Sequence, residues 1–204
     1  SVIDTQTKTV IKTIALPDRP HGMDLAPHPS SGEAERRLYV ANLGSNSVSI
    51  IDTQSLVVIT HIPVGDTPDS PLASPDGKTI WVTKYNGQSL SVVDTVALTE
   101  TTKWQVGVQP HGFKRSADGS RLYLTLQGED KFLVLDAATG QALDETPVNA
   151  SPHGLGLSPD GRFAWTGDLG RRSSTIVETA TGNAVAQISY GGVANPHAIA
   201  FSPD

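Results

Sequence analysis

The feature that most constrains this chain is a unit of about 42 residues that recurs from one end of the sequence to the other. Three kinds of marker stay in step. An acidic residue closing a β-branched run appears as Asp4, Asp52, Asp94, Asp136 and Glu178, spaced 48 and then 42 three times. The start of the following segment gives His21, Asp69, His111, His153 and His197, spaced 48, 42, 42 and 44. A central aromatic gives Tyr39, Trp81, Tyr123 and Trp165, always 42 apart. A chain of this kind folds as successive copies of one supersecondary unit, because a single copy cannot bury its own apolar face.

Each unit holds four strand candidates. The first strand is expected at 22–26, 70–74, 112–116, 154–158 and 198–202. A turn built on Pro75-Asp76-Gly77 or Pro159-Asp160-Gly161 follows, with Pro presetting φ, Asp bonding back to the backbone and Gly taking the left-handed position. In the unit that starts at His21, a longer loop over 29–36 replaces this turn and accounts for the spacing of 48. The second strand carries the aromatic and is expected at 37–41 and its equivalents. The third is expected at 48–51, 90–93, 132–135 and 175–177, and the fourth at positions such as 57–62 and 184–188. Runs of apolar residues at three- and four-residue spacing, which helices need, are absent. Four short antiparallel strands per 42 residues are the signature of a β-propeller blade. The fold class is therefore all-β, a β-propeller of four-stranded antiparallel blades.

Composition limits the functions open to such a chain. Among its 204 residues the formal charge is -6, with Lys and Arg scattered rather than clustered, so general nucleic-acid binding is not expected. There is no cysteine, which removes disulfides and thiolate chemistry and leaves the redox compartment open. No apolar run approaches the roughly 18 residues of a membrane-spanning helix. The chain opens on the strand-like Ser1-Val2-Ile3-Asp4 rather than an initiating Met, so a mature or truncated product is expected.

The second and third strands carry a family resemblance. Leu38-Tyr39-Val40-Ala41-Asn42, then Ser47-Val48-Ser49-Ile50-Ile51-Asp52-Thr53, then Ile62-Pro63-Val64-Gly65, resemble the YVTN-family β-propeller repeat. Trp81-Val82-Thr83-Lys84 and Tyr123-Leu124-Thr125-Leu126 are looser copies without the asparagine, and Trp165-Thr166-Gly167 is looser still. The resemblance covers residues 1–204 as one propeller domain, with four complete blades and partial blades at both ends. Family members usually close with seven blades, so it implies part of a longer ring. It also implies surface-layer or periplasmic binding proteins, lactonases, or propellers that hold haem d1 or copper. The localisation it implies is periplasmic, extracellular or cell-surface.

One constellation could carry chemistry. If the first strands lie nearest a central axis, His21, Asp69, His111, His153 and His197 form a ring at the channel mouth. Imidazole and carboxylate are ligand types for zinc, copper or iron, and His also serves as an acid or base. A transition metal would be held by His111, His153 and His197 on adjacent blades. Arg115, on a first strand, could help to hold an anionic ligand. The competing reading is structural: His shares the phase of the large residues in strands that alternate with Gly154 and Gly156, and wedging between blades would serve every repeat. Tyr39, Trp81, Tyr123 and Trp165 read as interblade core. Asp52, Asp94, Asp136 and Glu178 read as acceptors for the backbone N–H groups of the turns that follow them. Lys84, Arg171 and Arg172 depart from the repeat. Three functions remain. The first is a non-enzymatic scaffold binding a protein or small molecule at the channel mouth. The second is a metal- or haem-associated oxidoreductase module, and the third a lactonase- or lyase-like enzyme.

Overall fold

The computed structural model describes residues 1–193 and 195–202, apart from the side chains of residues 33, 34 and 193. Strands β1 (Val2–Asp4) and β2 (Thr9–Lys12) pair as a two-stranded sheet. The first four-stranded sheet runs β3 (Pro20–His28), β4 (Gly32–Asn42), β5 (Ser47–Asp52), β6 (Val57–Pro63). The second runs β7 (Pro68–Ala73), β8 (Thr79–Lys84), β9 (Ser89–Asp94), β10 (Thr99–Gln105). The third runs β11 (Pro110–Arg115), β12 (Arg121–Leu126), β13 (Lys131–Asp136), β14 (Ala142–Pro147). The fourth runs β15 (Pro152–Leu157), β16 (Phe163–Asp168), β17 (Ser173–Glu178), β18 (Ala184–Ser189). Each sheet is hydrogen-bonded in chain order, so each repeat is one propeller-type blade and the fold is all-β. A 3-10 turn at Gly191–Val193 is the one helical element among the described residues.

Burial explains the residue choice strand by strand. The second and third strands of a blade are covered on both faces, as in β5 and β12, and read as runs of β-branched, small and aromatic residues. The fourth strands are more exposed: β10 reads as polar sequence, while β6 leaves Val57 and Ile59 exposed.

The chain divides into two compact units, residues 1–82 with 91–102, and residues 83–90 with 103–204. In the first unit Tyr39, Val48, Ile50 and Ile62 of one blade pack with Ala73, Ile80, Val82 and Val93 of the next. In the second, Tyr123, Phe132 and Val134 pack with Leu155, Ala164 and Val177. Tyr39 and Tyr123 take the interblade role expected of them, Trp81 is buried, and Trp165 is half-buried, edge-on to Phe201 at 5.7 Å.

The turn chemistry follows the sequence closely. Gly77 and Gly161 sit at φ +69, the left-handed region. The carboxylate of Asp52 accepts from Ser55 N at 2.7 Å, that of Asp94 from Val96 and Ala97, and that of Asp136 from Ala138 and Thr139. Glu178, one carbon longer, takes the Thr181 hydroxyl instead.

Two expectations are corrected. The loop expected at 29–36 is largely strand: β4 begins within it at Gly32, which pairs with His28 at the end of β3. The tip closes because His28 Nδ1 faces the N–H groups of Ser30 and Ser31 at 3.3 Å. Residues 198–202 have first-strand sequence but no strand conformation, and they join none of the sheets among the described residues. The turn expected after Ser202 falls on residues 203 and 204, outside the described residues.

Candidate functional site

The Pro-His-Gly segments sit where the first strand begins in the first, third and fourth blades, with Pro68-Asp69-Ser70 in the second, and the ladder is irregular at all three Pro-His-Gly segments. The register shifts between Pro20 and Met23, between Pro110 and Phe113, and between Pro152 and Gly154. A bulge re-aims the side chain it carries, and here that side chain is the histidine.

Within the second unit three imidazoles form a column. The ring centroids of His111 and His153 are 3.5 Å apart, and those of His153 and His197 are 4.0 Å apart. His111 Nδ1 lies 3.2 Å from the carbonyl oxygen of His153, and His153 Nδ1 lies 3.3 Å from that of His197. A carbonyl only accepts, so Nδ1 is the protonated nitrogen and a neutral ring keeps its lone pair on Nε2. The same carbonyl of His153 accepts the Thr125 hydroxyl at 3.0 Å, while Thr125 Oγ1 accepts Gly112 N–H at 2.7 Å.

The glycine after each histidine completes the contact. A Cβ on Gly112 would sit 2.5 Å from the His153 carbonyl oxygen, and one on Gly154 would sit 2.5 Å from that of His197. Any side chain there would hold the carbonyl away from the ring that donates to it. Pro-His-Gly is therefore an interblade latch, with His as donor and Gly as clearance. In the first unit His21 Nδ1 instead meets the buried Asp69 carboxylate at 3.0 Å, and a Cβ on Gly22 would strike the Asp69 carbonyl.

The structure thus brings His111, His153 and His197 together, and separately His21 with Asp69. It does not bring Arg115 to the histidines. Arg115 ends β11, pairing with Leu122, while His111 stands next to Pro110, which pairs with Leu126 at the opposite end. Its Nη1 points to the Ser116 carbonyl at 3.4 Å. Among the described residues no group of three or more His, Asp or Glu side chains is arranged to hold a metal ion.

Two sets of residues beside the column were not singled out from the sequence. Tyr85 donates its hydroxyl to Gln127 Oε1 at 3.2 Å, and Gln127 Nε2 donates to Ser151 Oγ at 3.0 Å. Tyr85 also meets His111 edge-on, with centroids 6.2 Å apart. The second set surrounds Asp168, the last residue of β16, whose partner across β15 is Pro152. Asp168 is wholly buried and accepts from Thr166 Oγ1 at 2.5 Å and Thr175 Oγ1 at 2.8 Å, with Ser173 Oγ at 3.5 Å. Burial pushes its carboxyl up to about 6, against the downward pull of these hydroxyls. Asn149 leans on the same hydroxyls, its Nδ2 donating to Ser173 Oγ at 2.9 Å and its backbone N to Thr175 Oγ1 at 3.3 Å. The signal that points to Asp168 is its repeat position, which reads Asn42, Lys84, Leu126, Asp168. Lys84, which departs from the repeat, is also fully buried.

Comparisons with known proteins agree on the class. Residues 29–121, a little under half of the chain, match the YNCE-like beta-propeller family. Hydrazine synthase of Kuenenia stuttgartiensis is similar in structure over 88% of this chain and 52% of its own, at 24% identity and a TM-score of 0.74. The dihydro-heme d1 dehydrogenase NirN, solved in complex with DHE, is similar over 96% of this chain and 42% of its own, at 19% identity and a TM-score of 0.75. Virginiamycin B lyase from Staphylococcus aureus is similar over 85% of this chain and 57% of its own, at 17% identity and a TM-score of 0.69. The chain spans about half the length of these structures. No curated protein matches it. Fold and matches are consistent with a YVTN-type β-propeller, the class the repeat resembles.

Proposed function

We propose that this chain is a non-enzymatic binding scaffold, taking a protein or small-molecule ligand at the end of the blades where the Pro-His-Gly segments lie. One observation carries the reading: the Nδ1 of His111 and of His153 faces a carbonyl of the following blade that the next Gly admits, which is a structural task. The family resemblance supports an exported or cell-surface location. No helix is long and apolar enough to cross a membrane among the described residues. Changing His111 and His153 together to Ala is expected to lower the unfolding midpoint without removing stoichiometric metal from purified full-length protein. Loss of one bound copper, zinc or iron per chain in that variant would contradict the reading.

A second reading has its own support. An imidazole that donates Nδ1–H to a backbone carbonyl presents Nε2 as metal-ligating histidines do, and NirN, similar in fold, is a haem d1 enzyme by its name. In that case His111 and His153, with His197 beside them, would turn Nε2 to the group, and the three rings would have to move, since they are not arranged to hold a metal ion in this structure. A bound metal or haem would supply redox chemistry there, and elemental analysis with a visible spectrum tests it. A lactonase- or lyase-like activity is the third reading, supported by the similarity in fold to virginiamycin B lyase and tested by a screen of cyclic esters.

A further inference from the structure

The first strand of each blade is an edge strand, so every second N–H along it points away from its own sheet and needs another acceptor. One blade meets this need with a side chain. In β7 the Ser74 N–H donates to Thr79 O at 2.8 Å, so the N–H of Ala73 points away from β8. It donates to Asp24 Oδ2, on the first strand of the preceding blade, at 2.8 Å, while Asp24 Oδ1 accepts the Leu25 N–H at 2.9 Å. A carboxylate thus fills the gap between these two first strands.

The fourth blade has the same N–H without the carboxylate. Ser158 N donates to Phe163 O at 2.9 Å and Leu157 pairs with Ala164, so the Leu157 N–H points away from β16. Leu157 stands four residues after His153, as Ala73 stands four after Asp69. The counterpart of Asp24, three residues after His21, is Lys114, three residues after His111. A lysine only donates, so it cannot take this N–H. Lys114 is exposed, and among the described residues no side chain pairs with its ammonium.

Lys114 and Leu157 line one cavity of about 360 Å³ within the second unit. Leu157, Pro159, Ile199 and Phe201 give it apolar walls. Glycine at 156 lets two of these lie against β15, since a Cβ there would sit 2.6 Å from Ile199 Cγ2 and 3.2 Å from Phe201 Cε2. One cation and one free N–H beside an apolar wall suit an anion that carries an apolar body.

We propose that this cavity binds a small monocarboxylic acid with an aliphatic or aromatic body. The carboxylate of the acid takes the Leu157 N–H and the Lys114 ammonium, in the place that Asp24 fills between the first two blades, and its body lies on Ile199 and Phe201. A cavity of this size takes a free small molecule, not a folded partner. Leu157 ends β15 while His153 stands near its start, so this site is separate from the histidine column and from any ligand held there.

The test is amide NMR on the full chain titrated with benzoate, and with benzyl alcohol as an uncharged counterpart. Benzoate is expected to move the Leu157 amide proton downfield and slow its exchange, and benzyl alcohol to leave it in place. Lys114→Met should weaken benzoate binding about tenfold, as loss of a charge-assisted contact does. Lys114→Asp should reproduce the Asp24 contact with its own carboxylate, moving the Leu157 amide with no ligand present and abolishing the response to benzoate. A Leu157 amide unmoved by saturating benzoate, or moved as far by benzyl alcohol or chloride, overturns the proposal. Undiminished binding in Lys114→Met overturns it too. Benzoate shifts confined to His111 and His153 would also overturn it, while leaving the scaffold reading in place. If Lys114→Asp does not fold, the benzoate and benzyl alcohol titrations of the unaltered chain still decide.

Discussion

At the scale of single residues, this protein places carboxylates in two opposite environments, and their pH effects have opposite sign. The turn carboxylates are held down. Asp118 is lowered to about 2 by the Ser116 hydroxyl and then the Ser120 N–H, and Asp136 is lowered by the Thr139 hydroxyl and N–H. Their stabilisation is present above the ordinary carboxylate pKa and is lost as pH falls through the depressed one. Ser116→Ala is expected to return Asp118 toward 3.8, read by its carboxyl NMR titration, and an unchanged value would contradict the assignment. Asp168 behaves in reverse. Its pKa is raised, so its contribution is complete below about pH 4 and disappears as pH passes 6. Ionising it in the folded state costs about 3 kcal/mol at pH 8, taken as an upper figure. Asp168→Asn, which keeps the shape and adds a donor as Asn42 does, should therefore be the more stable protein at pH 8 by up to about 3 kcal/mol, with little difference at pH 4. Chemical denaturation at the two pH values measures this, and a difference that does not change with pH would contradict it.

At the scale of the element, the first strand is a strand plus a latch. The latch requires glycine for clearance rather than for a left-handed dihedral, since Gly112 and Gly154 have no positive φ. Gly112→Ala would press a methyl against the His153 carbonyl, the Leu155 side chain and the Thr125 hydroxyl at once. It should destabilise by about 2 kcal/mol or more, read by thermal or denaturant unfolding, whereas Ala at the open position Gly192 should cost less. Equal effects at the two sites would contradict the latch. Much of this element was legible beforehand, because the period fixed the strands and the Pro-Asp-Gly turns announced themselves by residue type. The latch was not. The spacing put His111 and His153 on neighbouring blades, but only the bulge between Pro110 and Phe113 shows where the ring is aimed. Nor did the sequence reveal the extended β3 and β4 hairpin, since Pro27, Pro29 and Gly32 read as a loop. The pairing of His28 with Gly32 came from a side-chain acceptor, not from a propensity.

At the scale of the whole molecule, the repeat explains why function is hard to read from such a chain. Residues kept in every copy serve the blade: Tyr39 and Tyr123 fill interblade core, and the acidic residues close turns. Individuality gathers where copies differ at one end of the blades, at Tyr85, Gln127, Ser151 and Asp168, beside the histidine column. Asp168 escaped the reading because its neighbours Ser173 and Thr175 are unremarkable strand residues until folding closes them around a carboxyl. Arg115 drew notice as a cation on a first strand, and strand length alone carries it to the far end from His111. The central claim is that the histidines fasten one blade to the next through Nδ1–H. Long-range proton–nitrogen NMR of the imidazoles in the full chain tests it most directly. The account predicts His111 and His153 in the Nδ1–H form above pH 7.5, with spectra unchanged by EDTA. Rings protonated at Nε2, or nitrogen shifts that collapse when a chelator is added, would contradict it.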